Sequence, residues 1–370
     1  VRTLVISDLH LGATTNVDLL RRADLRAALL EALADVDRLV ILGDALELRE
    51  APHREAADRA AGFFADIGRA LGADGELVIM AGNHDHGLVA GWIDSRLQTE
   101  EPGFLGLETF IEPADAGPLA ARLAELAQPA RATVAYPGIW LRDDVYAIHG
   151  HYSDLHTTVP TFERLAAGAM ARWVADLPAD GATPDDYEAC LAPLYAWMHA
   201  LTQRAGRGIL REGAGASARA WVTLAGDGRS RHPLRTGALL AGYAGAITAI
   251  NAIGLGPVQR DLSGQALRRG GLQGMAEVLR RLDVTAPYVL WGHSHRSGPW
   301  PRDDGSEWTT AAGTRMLNTG SWVYQRHFLS PDPNQSPYWP GTAVLVDEGS
   351  EPPRLVRLLG ELGHDELRPR

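Results

Sequence analysis

Five short runs of Asp, Asn and His, each set directly behind an apolar stretch, most constrain how this chain can fold. They are Asp8-Leu9-His10, Gly43-Asp44, Gly82-Asn83-His84-Asp85, His149-Gly150-His151 and Gly292-His293-Ser294-His295. The stretches before them, Leu4 to Ile6, Leu39 to Leu42, Leu77 to Met80, Val145 to Ile148 and Tyr288 to Trp291, read as buried strands. Between the first three lie segments with apolar residues at helical spacing, Val17 to Ala34 and Arg54 to Leu71. A repeated strand, polar loop and helix predicts an α/β layer. Polar residues at the carboxyl ends of neighbouring strands then meet at one edge of the sheet.

The remaining pattern divides the chain. A helix is expected at Leu119 to Ala127, and strands at Thr133 to Tyr136, Met316 to Asn318, Ala343 to Val346 and Leu355 to Leu359. From 152 to 285 the pattern is mostly helical and rich in Ala, Arg and Trp. Pro and Gly clusters at Leu177 to Pro184 and Gly206 to Gly215 break it into pieces. The expectation is a core built from 1–151 and 286–370, with 152–285 inserted as a helical cap. Thr236 to Gln259 in that cap carries no charge, and Leu240, Tyr243, Ile247 and Ile250 recur at helical spacing. A buried cap helix is the favoured reading. A face for an apolar substrate tail or a membrane surface comes next, and a membrane-spanning helix last.

Composition removes some functions. The formal net charge is -11, which disfavours a general nucleic-acid binder. All 35 basic residues are Arg, the mark of GC-rich codon usage rather than of phosphate binding over the whole surface. Cys190 is the single cysteine, so no intrachain disulfide forms and a reducing compartment fits. The chain opens straight into an apolar strand without a signal-peptide h-region. The expected location is therefore cytoplasmic, with peripheral membrane contact through the cap as a further option.

The polar motifs carry metal-ligand chemistry. Carboxylate oxygen, amide oxygen and imidazole nitrogen suit Mn, Fe, Zn, Co or Ni, and no thiolate is present to select a softer ion. In extended chain, residues i and i+2 point to the same side, so D-x-H and H-x-H each bring two ligands to one place. The glycines before Asp44, Asn83 and His293 allow tight turns.

Taken together and in this order, the motifs resemble those of the calcineurin-like metallophosphoesterases. The resemblance covers roughly Val1 to His151 and Pro287 to Val346, and leaves out the cap. It implies a four-layer α/β/β/α sandwich and a binuclear centre, with Mn the expected metal. Asp8, His10 and His295 would bind one ion, Asn83, His149 and His293 the other, and Asp44 would bridge them. The ion pair would acidify a water for in-line attack on phosphorus. His84 would face the leaving group as proton donor or charge stabiliser, and Asp85 would orient that imidazole. Glu47 would support a ligand through a hydrogen bond. His151 is expected beside the ligands or facing substrate. Arg296 is expected to contact phosphate or to pair with an acid.

Departures narrow the subclass. Ala45-Leu46-Glu47-Leu48 and Asp85 differ from the protein Ser/Thr phosphatase pattern, and His10 differs from the purple acid phosphatase pattern. Ile6 to Gly12 and Asn318-Thr319-Gly320-Ser321-Trp322 are similar to the UDP-diacylglucosamine pyrophosphohydrolase branch. The implied activity is hydrolysis of a phosphodiester or pyrophosphate bond in a small or lipid-linked substrate. A nuclease of the same superfamily is the alternative enzyme, and the acidic charge argues against it. A noncatalytic scaffold is the alternative of another class, and the complete ligand set argues against that.

Overall fold

The computed structural model describes residues 1–50, 52–100, 103–205, 245–261 and 263–369. By contact pattern the chain divides into two compact units. The first comprises Val1–His151, Tyr195–Gly206 and Thr285–Arg370; the second comprises Tyr152–Leu194 and Arg207–Val284. Tyr195–Gly206 thus groups with the first unit, although it lies inside the segment expected to form the cap.

In the first unit, strand β1 (Thr3–Ile6) is buried along its whole length, so both of its faces must be covered. Side chains alternate between the faces. Leu4, Ile6, Leu39, Ile41, Leu77 and Ile79 share one core with Leu25, Leu29, Ala60, Phe63, Phe64 and Ile67 of the neighbouring helices. Val5, Val40, Leu42, Val78 and Met80 join a second core with Val145, Ala147, Leu290 and Leu317. That alternation explains why the strand segments read as unbroken apolar runs.

Among the described residues, ten strands make one hydrogen-bonded sheet. The others are β2 (Arg38–Leu42), β3 (Glu76–Met80), β4 (Glu108–Ile111), β5 (Arg131–Arg142), β6 (Val145–Ile148), β7 (Tyr288–Trp291), β8 (Arg315–Asn318), β9 (Thr342–Val346) and β10 (Arg354–Arg357). Their order is β10-β9-β1-β2-β3-β5-β6-β7-β8, with β4 paired to β5. β1, β2, β3 and β5 run parallel to one another, as do β6, β7 and β8, while β9 pairs antiparallel with β1 and β10. β5 joins the two parallel sets: its first residues pair with β3 and its last with β6, antiparallel. The mixed α/β class expected from the motif rhythm is what the strands and helices form.

Three expected elements differ. The helix expected over Val17 to Ala34 is a short 3-10 turn, Leu19–Arg21, then an α-helix, Ala23–Ala32, with Arg22 extended between them. Tertiary contacts override the helical spacing: Asp18 bridges to Val323, and the Leu19 N–H donates to the Trp322 carbonyl at 3.0 Å. β5 runs well beyond Thr133 to Tyr136 because it serves both sets of strands. The last strand is Arg354–Arg357, and Leu359 lies beyond it in the core.

The second unit contains the helices Phe162–Trp173 and Gly264–Arg281, capped by the Thr161 and Ser263 side chains. Residues 245–252 are also helical. Leu240 and Tyr243 of the uncharged stripe lie outside the described residues; Ile247 is buried. Among the described residues, no helix is long and apolar enough to cross a membrane.

Candidate metal centre

The parallel strands place the motifs. Asp8, Asp44 and Asn83 follow β1, β2 and β3 of one parallel set, and His149 and His293 follow β6 and β7 of the other. The two sets run in opposite directions across β5, so their carboxyl ends meet near its middle, where Met80 pairs with Ala135 and Ile148 with Gly138. The loops interlock through backbone bonds: the Leu9 and His10 N–H groups both donate to the Asp44 carbonyl at 2.9 Å. Gly292 N–H donates to the His149 carbonyl at 2.9 Å.

The backbone here is strained. Asp8, His10, Asp44, His293 and His295 all hold positive φ, between 48° and 62°. Side chains seldom adopt that region, and Asn, Asp and His tolerate it best. Glycine is required where the loops touch. A Cβ on Gly82 would collide with the Asp44 carboxylate and the His149 ring, and one on Gly292 would collide with Ser7 and Asp8.

Three overlapping groups result, each with its ligand atoms within 4.8 Å of one another: Asp8, His10 and His295; His10, Asp44 and His84; Asp44, His149 and His293. Asp44 Oδ2 lies 3.4 Å from His149 Nε2 and 3.7 Å from His10 Nε2. His295 Nε2 lies 3.3 Å from Asp8 Oδ1 and 3.1 Å from His10 Nε2. The outer ring nitrogens are tied down. His149 Nδ1 donates to the Leu42 carbonyl at 2.8 Å, and His10 Nδ1 pairs with Glu47 Oε2 at 3.1 Å. Such partners fix the tautomer that aims Nε2 inward, as in metal sites generally.

Electrostatics follow from burial and neighbours. Burial alone would raise the Asp44 carboxyl, but the facing His149 and His84 rings hold it well below the usual carboxylate range. Burial would lower His10 and His149, yet Glu47 and Asp44 bring His10 up to about 9, and Asp44 and Asp8 bring His149 up to about 9. A pocket that holds protons this tightly on imidazole competes for cations with the same atoms.

Asn83 tests whether a cation fits. As placed, its amide oxygen faces only acceptors, among them Asp44 Oδ2 and His293 Nδ1, with His149 Nε2 at 3.4 Å. Swapping the amide would satisfy these neighbours with hydrogen bonds of 3.2 Å to Asp44 and His293. A cation among oxygen, carboxylate and imidazole would satisfy the Asp44 and His293 side without a swap, and the donor set matches a hard or borderline divalent ion, whereas the swap would also let Asn83 accept from Arg49 Nη2 at 2.9 Å.

Other expected residues fall differently. Asp85 does not touch His84. Its carboxylate instead accepts from the backbone N–H groups of Gly82 (2.7 Å), Leu46 (3.1 Å) and Asp44 (3.2 Å), stitching the second loop to the third. Burial, then the nearby Asp44 charge, push its carboxyl up to about 7. Glu47 takes the orienting place, with Oε2 at 2.8 Å from His84 Nδ1. His151 is buried, with its ring 5.5 Å from that of His149. Arg296 turns away to Asp303, at 2.6 Å. In the second unit, Tyr152 donates to Glu188 at 2.7 Å, and His156 pairs with Tyr187 at 2.8 Å. The Asn318–Trp322 run acts as scaffold: Asn318 donates to the Gly292 carbonyl at 2.7 Å, and the Trp322 N–H to the Asp8 carbonyl at 3.1 Å.

Sequence reasoning missed Arg49. It lies one residue past the Ala45–Leu48 stretch, and no periodicity marks it. Its Nη1 donates to His84 Nε2 at 3.3 Å. Burial, and then the Arg49 charge, hold His84 below its ordinary value.

An α/β sheet whose two strand sets bring Asp, Asn and His together where they meet defines a class, a candidate metal centre on a mixed sheet. The sequence profile of the calcineurin-like phosphoesterases matches residues 1–223, more than half the chain, and the chain belongs to that family. No curated protein matches it. Family members are generally metal-dependent phosphoester hydrolases. The profile match stops short of His293 and His295, so their place in the centre comes from the fold.

Proposed function

We propose that the chain hydrolyses a phosphodiester or pyrophosphate bond of a small or lipid-linked substrate at a binuclear metal centre. The observation that carries this reading is the position of Asp44, whose Oδ2 lies between His10 on one flank and His149 on the other. Asp8, His10 and His295 would hold one ion, Asn83, His149 and His293 the second, and Asp44 both. Bound there, divalent ions such as Mn would supply Lewis acidity that activates water and offsets phosphoryl charge.

The chain's own residues complete the reaction. Glu47 orients His84 through Nδ1, leaving Nε2 as the atom that meets the leaving oxygen. Arg49 occupies that nitrogen in the resting state. An anionic phosphoryl oxygen is a stronger acceptor than a neutral imidazole, so substrate would draw the guanidinium off His84. With Nε2 released from Arg49 and Glu47 and Asp44 favouring the charged ring, His84 takes up a proton at Nε2 from solvent and donates it to the departing oxygen.

Two features support a lipid-linked substrate. The Ile6 to Gly12 and Asn318 to Trp322 runs resemble the lipid-precursor pyrophosphohydrolase branch. In the second unit, Trp173, Val174 and Ile253 are each more than half exposed, a composition suited to peripheral contact with apolar material. The parallel-strand core and the meeting of both strand sets in one apolar cluster support a four-layer sandwich.

A hydrolysis screen of the Mn-loaded protein tests this. It should span nucleoside diphosphate conjugates, cyclic nucleotides, phosphomonoesters and lipid phosphates, with metal content measured alongside. Turnover of a diester or pyrophosphate with two ions per chain is the expected result. Turnover with a single ion, or of monoesters alone, would overturn it.

A further inference from the structure

We propose that one helix face, carrying Tyr195, His199 and Thr202, is a brace that positions Arg49 to take a phosphoryl oxygen of the substrate. This rests on the phosphoester reading above. The three residues are spaced by four and then three positions in the helix Pro184–Ala205, so they share one face. All three belong to the first unit.

Each of them meets the segment that begins at Arg49. The Arg49 guanidinium lies 5.8 Å from the centre of the Tyr195 ring, within cation–π range. The His199 ring stacks on His53 at 4.3 Å, with 26° between planes. Thr202 Oγ1 donates to the Arg49 carbonyl at 2.8 Å. From the opposite side, Glu47 Oε1 accepts the Arg49 N–H at 3.0 Å. The residue is therefore held at its N–H, its carbonyl and its guanidinium.

The physical gain is pre-ordering. A free Arg side chain loses rotamer freedom when it is fixed. A brace spends that in folding, so an arriving phosphate meets an ordered fork that can donate to two of its oxygens. Tyr195 and Thr202 are thus positioning residues, and Arg49 is the group that contacts the anion. The ligand class is a phosphate ester or inorganic phosphate.

The test compares Tyr195→Leu, Tyr195→Phe, Thr202→Val and Arg49→Ala in the metal-loaded protein. It reads metal content, affinity for inorganic phosphate by calorimetry, and KM beside kcat. Tyr195→Leu should keep its metals, weaken phosphate about tenfold and raise KM more than it lowers kcat. Tyr195→Phe retains the ring and should bind phosphate as the parent does. The double variant Arg49→Ala with Tyr195→Leu should be no worse than Arg49→Ala alone. Additive losses, or a Tyr195→Phe protein as weak as Tyr195→Leu, would overturn the brace. Should Tyr195→Leu not fold, Thr202→Val with Arg49→Ala gives the same cycle. Coupled phosphate binding in a chain that hydrolyses no phosphoester would sink the reaction and leave the brace standing. Uncoupled variants in an active enzyme would sink the brace alone.

Discussion

The floor and the rim of the metal centre are held in different ways. Asp8, Asp44, Asn83 and His149 form the floor and are nearly or wholly buried. They are fixed by interlocked loops, by left-handed backbone at Asp8 and Asp44, and by glycines that nothing larger can replace. The rim side chains are more open, His84 at 26% and His295 at 19% exposure. They are fixed mainly by other side chains, Glu47, Arg49 and Asp8 among them. The floor is thus a product of the fold, whereas the rim can adjust to a substrate without disturbing the sheet. Damage to the floor should remove metals, and damage to the rim should remove rate.

Asp44→Asn should break the floor most completely. It weakens the one side chain that reaches both flanks, so both ions are expected to leave and activity to fall about a thousandfold or more. Elemental analysis of the purified variant checks this. Full occupancy of two ions would remove Asp44 from its bridging place and blur the contrast between the flanks.

Gly82→Ala comes next, and it changes no ligand. The added methyl must displace the Asp44 carboxylate or the His149 ring. A cost of about 1–3 kcal/mol in stability is expected from overpacking, together with weaker metal binding. Denaturant melts and metal titration measure the two effects. A variant that melts and binds metal as the parent does would show that the floor can yield.

His84→Ala probes the rim. Both metals should stay, and the rate should fall on the order of a hundredfold. The loss should shrink for substrates with good leaving groups, such as nitrophenyl esters, because they need less proton donation. An equal loss for every leaving group would turn His84 into a positioning or charge-stabilising residue.

The floor was legible in the sequence and much of the rim was not, for a physical reason. Floor residues sit just past strand ends, where an apolar run gives way to Ser-Asp, Gly-Asp, Gly-Asn or His-Gly and so marks the turn. Each signal is local. Arg49 and Tyr195 are far apart in the chain, and neither follows the end of a strand. Asp85 shows a subtler failure. Its place beside His84 in sequence suggested a pair, but the turn aims its carboxylate at three backbone N–H groups instead. The helix expected over Val17 to Ala34 failed similarly, because its first residues were claimed by Trp322 and Val323.

Arg296 draws the outer boundary of the rim, and its removal should have the smallest effect on activity. It follows His295 directly in the chain, so sequence alone leaves phosphate contact open. The structure turns it the other way. Its guanidinium is 2.6 Å from Asp303 and lies over the Trp308 ring at 5.3 Å. Both members of the ion pair are largely buried, with side chains 9% and 5% exposed. Arg296→Met keeps the aliphatic reach against Trp308 but leaves Asp303 buried without its cation. Breaking such a pair costs about 3 kcal/mol, so the melting temperature should drop. Activity per folded molecule, and KM, should stay within about twofold of the parent. Replacing Asp303 as well, by Asn, should recover much of the stability, since no charge is then stranded. A rise in KM like that expected from Arg49→Ala would instead place Arg296 against the substrate and extend the rim past His295.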